Sequence, residues 1–198
     1  MERAIYKPLQ PFPVKPGIVC QQPRNFTPVA MDTPAINVMT DFQLVTPATI
    51  RPDATLAAAN TAMISRSVRL LFVAEADDVI LGVITARDTM GDRPITLLKE
   101  RGGKREDLRV ADLMTPHAKM EALRLPDVLR AEVGHILKTL QQIGRQHALV
   151  VEFDPVSGRD EIRGMFSATS IGRRLGVPIQ TFEIAHTFAE IESALAES

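Results

Sequence analysis

The sequence predicts an α/β protein made of two pseudo-symmetric repeats, each running strand, helix, strand, strand, helix. An extended Pro-rich arm precedes them and an amphipathic helix follows. Three observations predict this. The first is internal repetition: "NVMTDF" (37–42) returns as "DLMTPH" (112–117), and "IRPDATL" (50–56) as "RLPDVL" (124–129). "VRLLFVAE" (68–75) likewise returns as "QHALVVEF" (146–153), and "LGVITARD" (81–88) as "RGMFSATS" (163–170). Repeats of this size imply two supersecondary units packed on one another. The second observation is proline: Pro8, Pro11, Pro13, Pro16, Pro23, Pro28 and Pro34 fall before residue 37. The third is the alternation, within each copy, of helical apolar spacing with short continuous apolar runs.

The elements follow in order. Residues 1–36 read as an extended arm, because proline fixes φ and donates no hydrogen bond. The arm is either loosely draped or reaches over a partner subunit, anchored by Phe12, Val14, Ile18, Val19 and Phe26. Repeat 1 covers 37–100. A short strand precedes Pro52-Asp53, and Asp in a first helical turn favours the positive end of the dipole. The helix then carries Leu56, Ala59 and Met63. "LLFVA" and "VILGVI" are strands around a turn at Glu75 to Asp78, and a second helix follows Asp88. The stretch 91–109 joins the units, with 101–109 as linker and Gly102-Gly103 as a flexible break. Repeat 2 covers 110–178. Its first helix has the stronger stripe, Val133, Ile136, Leu140 and Ile143, and "DPVSGRDE" turns its hairpin. Residues 179–198 place Ile184, Phe188, Ile191 and Leu195 on one helical face. That face meets either the chain itself, the preferred reading, or a partner.

Composition narrows the function. With 198 residues, 45% hydrophobic and 24% charged, the chain is long enough to bury a core without disulfides. A net charge of −1 supplies no field for nucleic acid or anionic lipid. Cys20 is the single cysteine, which excludes a disulfide framework and Cys-rich zinc sites and fits a reducing, cytoplasmic compartment. The first residues lack the apolar core of a signal peptide, and no run is long enough to span a membrane. His117, His135, His147 and His186 have no zinc-enzyme spacing, and the phosphate-loop, dinucleotide and nucleophile-elbow motifs are absent. Acidic pairs such as Asp77-Asp78 lie in turns, where solvation accounts for them.

The pair Thr85 and Asp88, three residues apart where a buried strand opens into a helix, has two readings. One is a capping box, in which hydroxyl and carboxylate satisfy each other's backbone N–H groups. The other is a cradle: free N–H groups and the hydroxyl for a phosphate, the carboxylate for two ribose hydroxyls. The two are compatible. In the second copy Ser167 keeps the hydroxyl but Ser170 replaces the carboxylate. Arg173 and Arg174 follow, either as phosphate partners or as solvated helix charges.

On V-M-T, P-D before a helix, an apolar hairpin and G-h-x-T/S, in that order and twice over, residues 37–177 resemble a tandem pair of CBS domains, the Bateman module. The resemblance implies a non-catalytic regulatory module. Its two clefts between the repeats would bind an adenosyl ligand such as AMP, ADP, ATP or S-adenosylmethionine, with no cofactor required. It also implies a homodimer and a regulated partner that the sequence does not name, while charge and hydropathy argue against nucleic acid or membrane as partner. The ligand-binding residues implied are Thr40, Thr115, Val68, Arg69, Leu70, Thr85 and Asp88, and in the second copy His147, Ser167 and Ser170. Gln146, His147 and Ala148 are expected to match Val68, Arg69 and Leu70. The site at Thr85 and Asp88 is expected to be the better of two unequal sites. The competing expectation is a ligand-free dimerisation protein with degenerate sites.

Overall fold

A computed structural model describes residues 10, 11, 13, 29–75, 79–177 and 184–196. The proposed arm anchors, Cys20 and the Asp77-Asp78 turn lie outside the described residues.

The first half contains β1 (Thr40–Asp41), β2 (Thr49–Ile50), α1 (Leu56–Ser65), β3 (Leu70–Ala74), β4 (Ile80–Thr85) and α2 (Ala86–Met90). α3 (Arg93–Arg101) and α4 (Val110–Leu113) lead to the second half. That half has β5 (Thr115–Pro116), β6 (Ala122–Arg124), α5 (Leu125–Val128), α6 (Val133–Gln142), β7 (His147–Asp154), β8 (Arg159–Ser167) and α7 (Ala168–Arg174). α8 (Ile184–Ala196) closes the chain. The sheets do not divide as the repeats do. One runs β2-β3-β4-β5 and the other β1-β8-β7-β6. The first strand of each half therefore crosses to the other half's sheet. Thr40 and Asp41 pair with Met165 and Gly164, and Thr115 and Pro116 pair with Val83 and Gly82.

These crossings need glycine. A Cβ on Gly82 would sit 2.3 Å from the Thr115 carbonyl oxygen, and one on Gly164 would sit 2.5 Å from that of Thr40. Pro116 fits its place because an edge strand can spare an N–H.

Strand β3 and residues 148–150 of β7 read as unbroken apolar runs because both faces are covered there. Leu71, Val73 and Ile84 face α1, with Leu56, Ala59 and Met63. Ala148, Val150 and Phe166 face α6, with Val133, Ile136 and Leu140. On the opposite faces Leu70, Phe72, Val83 and Leu149 form a third cluster where the two sheets meet, supported by Phe42 and Met165. Phe42 lies edge-on to Phe72, with ring centroids 5.5 Å apart.

Several elements depart from expectation. Pro52-Asp53 stands outside α1, which is capped by Thr55 accepting from the Ala58 N–H. In the second copy Pro126-Asp127 lies within the separate short helix α5. Ile143, expected on the α6 stripe, is 40% exposed, and Leu137 takes the buried place. The joining stretch contains α3, which ends where Gly102 and Gly103 adopt φ of +73° and +92°. Residues 29–36 are docked on the second half: Ala35 is fully buried there, with Val29 and Ile36 packed alongside. The carbonyls of Met31 and Thr33 accept from the Gly134 and Val133 N–H groups. They thereby satisfy α6 donors that a helix start leaves unpaired. Phe188 and Ile191 of α8 are buried in the same second-half core; the side chains of Ile184 and Leu195 are outside the described set.

Candidate functional site

The β-ladder fixes which residues converge. Leu70 pairs with Thr85, and His147 pairs with Ser167. Partners across an antiparallel ladder share a face, and so do residues two apart along a strand. Leu70 belongs to the cluster between the sheets, so Thr85 opens toward that space. Leu149 also belongs to it, so His147 and Ser167 open there too. Thr115 opposes Val83 and Thr40 opposes Met165, both members of that cluster or packed on it. The strand crossing thus sorts the residues into two groups: Thr115 with Leu70, Thr85 and Asp88, and Thr40 with His147, Ser167 and Ser170.

This pairing also corrects the match between the copies. Leu70 corresponds to His147 and Arg69 to Gln146, one residue away from the expected alignment. The Arg69 carbonyl accepts from Ala86 N–H at 3.0 Å, as that of Gln146 does from Ala168 at 2.9 Å. Ser67 and Gly144, just ahead of these strands, share a left-handed backbone, with φ of 53° and 61°. Val68 packs on the first-half core, and Ala148 is buried against the second-half core, so neither opens between the sheets.

The capping box at Thr85 and Asp88 is formed. Asp88 Oδ2 accepts from the Thr85 N–H at 2.9 Å and from the Thr85 hydroxyl at 2.7 Å, while Thr85 Oγ1 accepts from the Asp88 N–H at 3.4 Å. Asp88 Oδ1 accepts from the Arg93 guanidinium at the start of α3. The Asp88 side chain is 13% exposed and that of Arg93 51%. Arg93 was not among the sequence candidates. It lies beyond the end of α2, so no helical period links it to Asp88.

The second group differs. Ser167 Oγ accepts from the Ser170 N–H at 3.4 Å, and no carboxylate takes part. Burial, with the Arg69 cation added, pulls the His147 pKa down to about 4. Burial and the Arg173 cation lower that of Arg69. Arg69 of the first half therefore sits within electrostatic reach of two basic groups of the second. Arg174 instead donates to the Asn37 carbonyl at 2.5 Å and fastens the approach to β1. The hydroxyl of Thr169, 2% exposed, has no hydrogen-bond partner among the described residues.

A second feature missed in the sequence holds the crossing itself. Arg163 donates to both Asp41 carboxylate oxygens, at 3.0 and 2.8 Å, and to Glu152 at 3.0 Å. The guanidinium holds the Asp41 carboxyl below the usual carboxylate range. Beside it a surface hollow of about 360 Å³, lined by residues including Phe42, Glu152, Phe153 and Arg163, lies apart from Thr85 and Ser167. Among the described residues no group of three or more metal-ligating side chains converges. No described helix is long and apolar enough to cross a membrane.

Comparison with known proteins agrees with this geometry. The CBS domain family model matches residues 29–91. An uncharacterized conserved protein of Pyrococcus horikoshii has a similar fold at TM-score 0.54 and 20% identity, covering 77% of this chain and 99% of its own. A CBS-domain containing protein of Agrobacterium tumefaciens is similar at TM-score 0.50 and 17% identity, covering 69% of this chain and 93% of its own. No curated protein matches the chain. Residues 29–91 thus resemble a CBS domain, and the paired sheets and the two equivalent strand-to-helix junctions carry the same fold across both halves of the chain.

Proposed function

We propose that the chain is a non-catalytic regulatory module that binds an adenosyl ligand between its two halves. One observation carries the reading: the Thr85–Asp88 junction opens toward the space between the sheets, and the chain repeats the junction at Ser167–Ser170 around a pseudo-twofold. A ligand there touches both halves, because Thr115 and Thr40 each cross over. It therefore favours one relative arrangement of the halves, and a partner that reads the arrangement is regulated by population shift. Asp88 is the ribose acceptor and Thr85 the phosphate donor. Thr115 and Leu70 complete that site, with Arg69 at the junction between the two. Thr40, His147, Ser167 and Ser170 form a weaker site without a carboxylate. AMP, ADP, ATP and S-adenosylmethionine are the candidate ligands, and the module acts as a homodimer.

A competing reading, a ligand-free assembly protein, draws on the fact that the capping box and Arg93 already employ both Asp88 oxygens. A thermal-shift titration with these ligands, on the wild type and Asp88→Ala, separates the two. A ligand at ~100 times its dissociation constant adds about 2.7 kcal/mol, or roughly 5–10 °C for a chain of this size. A shift in the wild type that Asp88→Ala loses supports the sensor. No shift with any ligand, in folded protein, leaves the junction as a helix cap and favours assembly. Asp88→Ala also removes a cap worth ~1 kcal/mol, so the ligand-induced shifts are compared and not the melting points.

A further inference from the structure

A carboxylate offers about four lone-pair positions. At Asp88, Oδ2 already accepts from the Thr85 N–H and hydroxyl, and Oδ1 accepts from Arg93. One position remains, while a ribose diol needs two. Arg93 is the partner that can leave. The cap uses Oδ2 and does not need it, and its side chain is half exposed while that of Asp88 is nearly enclosed. We propose that Arg93 gates the Thr85–Asp88 site, blocking the carboxylate until a phosphate-bearing ligand draws the guanidinium away.

The chemistry selects a ligand class. A guanidinium binds a phosphate through paired N–H groups at least as well as it binds a carboxylate. A nucleotide thus provides a new partner for Arg93 as it takes Asp88 for its ribose. An uncharged nucleoside must break the Arg93–Asp88 pair and leaves the cation without a substitute. The site therefore takes nucleotides ahead of adenosine.

This inference rests on the adenosyl reading of the site, and the test separates the two. Calorimetric titrations of the full chain with AMP and with adenosine are run on the wild type, Arg93→Ala, Arg93→Lys and Asp88→Ala, with far-UV circular dichroism confirming the fold. The wild type is expected to prefer AMP by tenfold or more. Arg93→Ala is expected to bind adenosine at least fivefold more tightly than the wild type and to reduce the preference to threefold or less. Arg93→Lys, which keeps the charge but not the fork, should fall between. If both ligands bind and the preference in Arg93→Ala stays within twofold of wild type, the gate is refuted while the site stands. If neither ligand binds the wild type or Arg93→Ala, or Asp88→Ala binds both unchanged, the adenosyl reading of this site falls and the gate with it.

Discussion

Gly82→Ala tests the strand crossing on which both candidate sites depend. The added Cβ would lie 2.3 Å from the Thr115 carbonyl oxygen and 3.1 Å from Pro116 Cα. Ordinary contact begins near 3.4 Å, so β5 must retreat by about an ångström from backbone that cannot rotate away. Retreat strains the pairing of Gly82 with Pro116 and of Val83 with Thr115. Overpacking costs ~1–3 kcal/mol, and a ladder hydrogen bond contributes ~1 kcal/mol. The sum is about 2–4 kcal/mol. At roughly 2–4 °C per kcal/mol for a chain this long, the melting temperature falls by about 4–16 °C. Circular dichroism melts at fixed protein concentration, with urea titrations for the free energy, read this directly. A loss below about 1 kcal/mol would show that β5 approaches β4 less closely than described, and the assignment of Thr115 to the Thr85 site would lose its basis.

Three further changes have defined signs. Ser67→Gly relieves a left-handed backbone that the second copy gives to Gly144, and should raise stability by about 0.5–1 kcal/mol in urea unfolding; a loss would mean that Ser67 is held by contacts worth more than its strain. Thr169→Val replaces a buried hydroxyl that has no partner among the described residues by a methyl of the same shape, and should be neutral or stabilising by up to about 1 kcal/mol; destabilisation beyond about 0.5 kcal/mol would reveal a partner for that hydroxyl. His147 has its pKa lowered to about 4 from an ordinary 6.5, so the unfolded chain takes up a proton that the folded one refuses. Its contribution is complete above pH 6.5 and is lost as pH falls toward about 4, by up to about 3 kcal/mol at 1.36 per unit. His147→Gln should flatten the stability profile across that window, and an unchanged slope would place His147 in contact with water.

The parts legible in the sequence are those where one residue's chemistry decides the outcome locally. β3 and residues 148–150 of β7 are visible as apolar runs because both of their faces are buried. α1 was visible because Leu56, Ala59 and Met63 repeat at helical spacing and all face one core. The Thr85–Asp88 junction was visible because a hydroxyl and a carboxylate three apart at a strand end can pair whatever else surrounds them. The crossings were not visible. Each rests on a two-residue pairing, and "MT" reads the same whichever sheet receives it. The glycines that admit the crossing strands, Gly82 and Gly164, were a usable signal, since a glycine inside a buried strand marks a close backbone approach.

The register between the copies is hidden in the sequence for a related reason. Aligning "VRLLFVAE" with "QHALVVEF" maximises apolar overlap, yet the turn before each strand sets the true frame. Ser67 disguises that turn in the first copy, where Gly144 declares it in the second. The one-residue difference matters, because it places His147 where Leu70 stands and Gln146 where Arg69 stands. Leu70 is apolar and its junction carries a carboxylate held by Arg93. His147 is held uncharged above about pH 4, its junction has lost the carboxylate, and Arg69 and Arg173 add cations nearby. The duplication therefore preserves the frame of the two junctions and reverses their electrostatics.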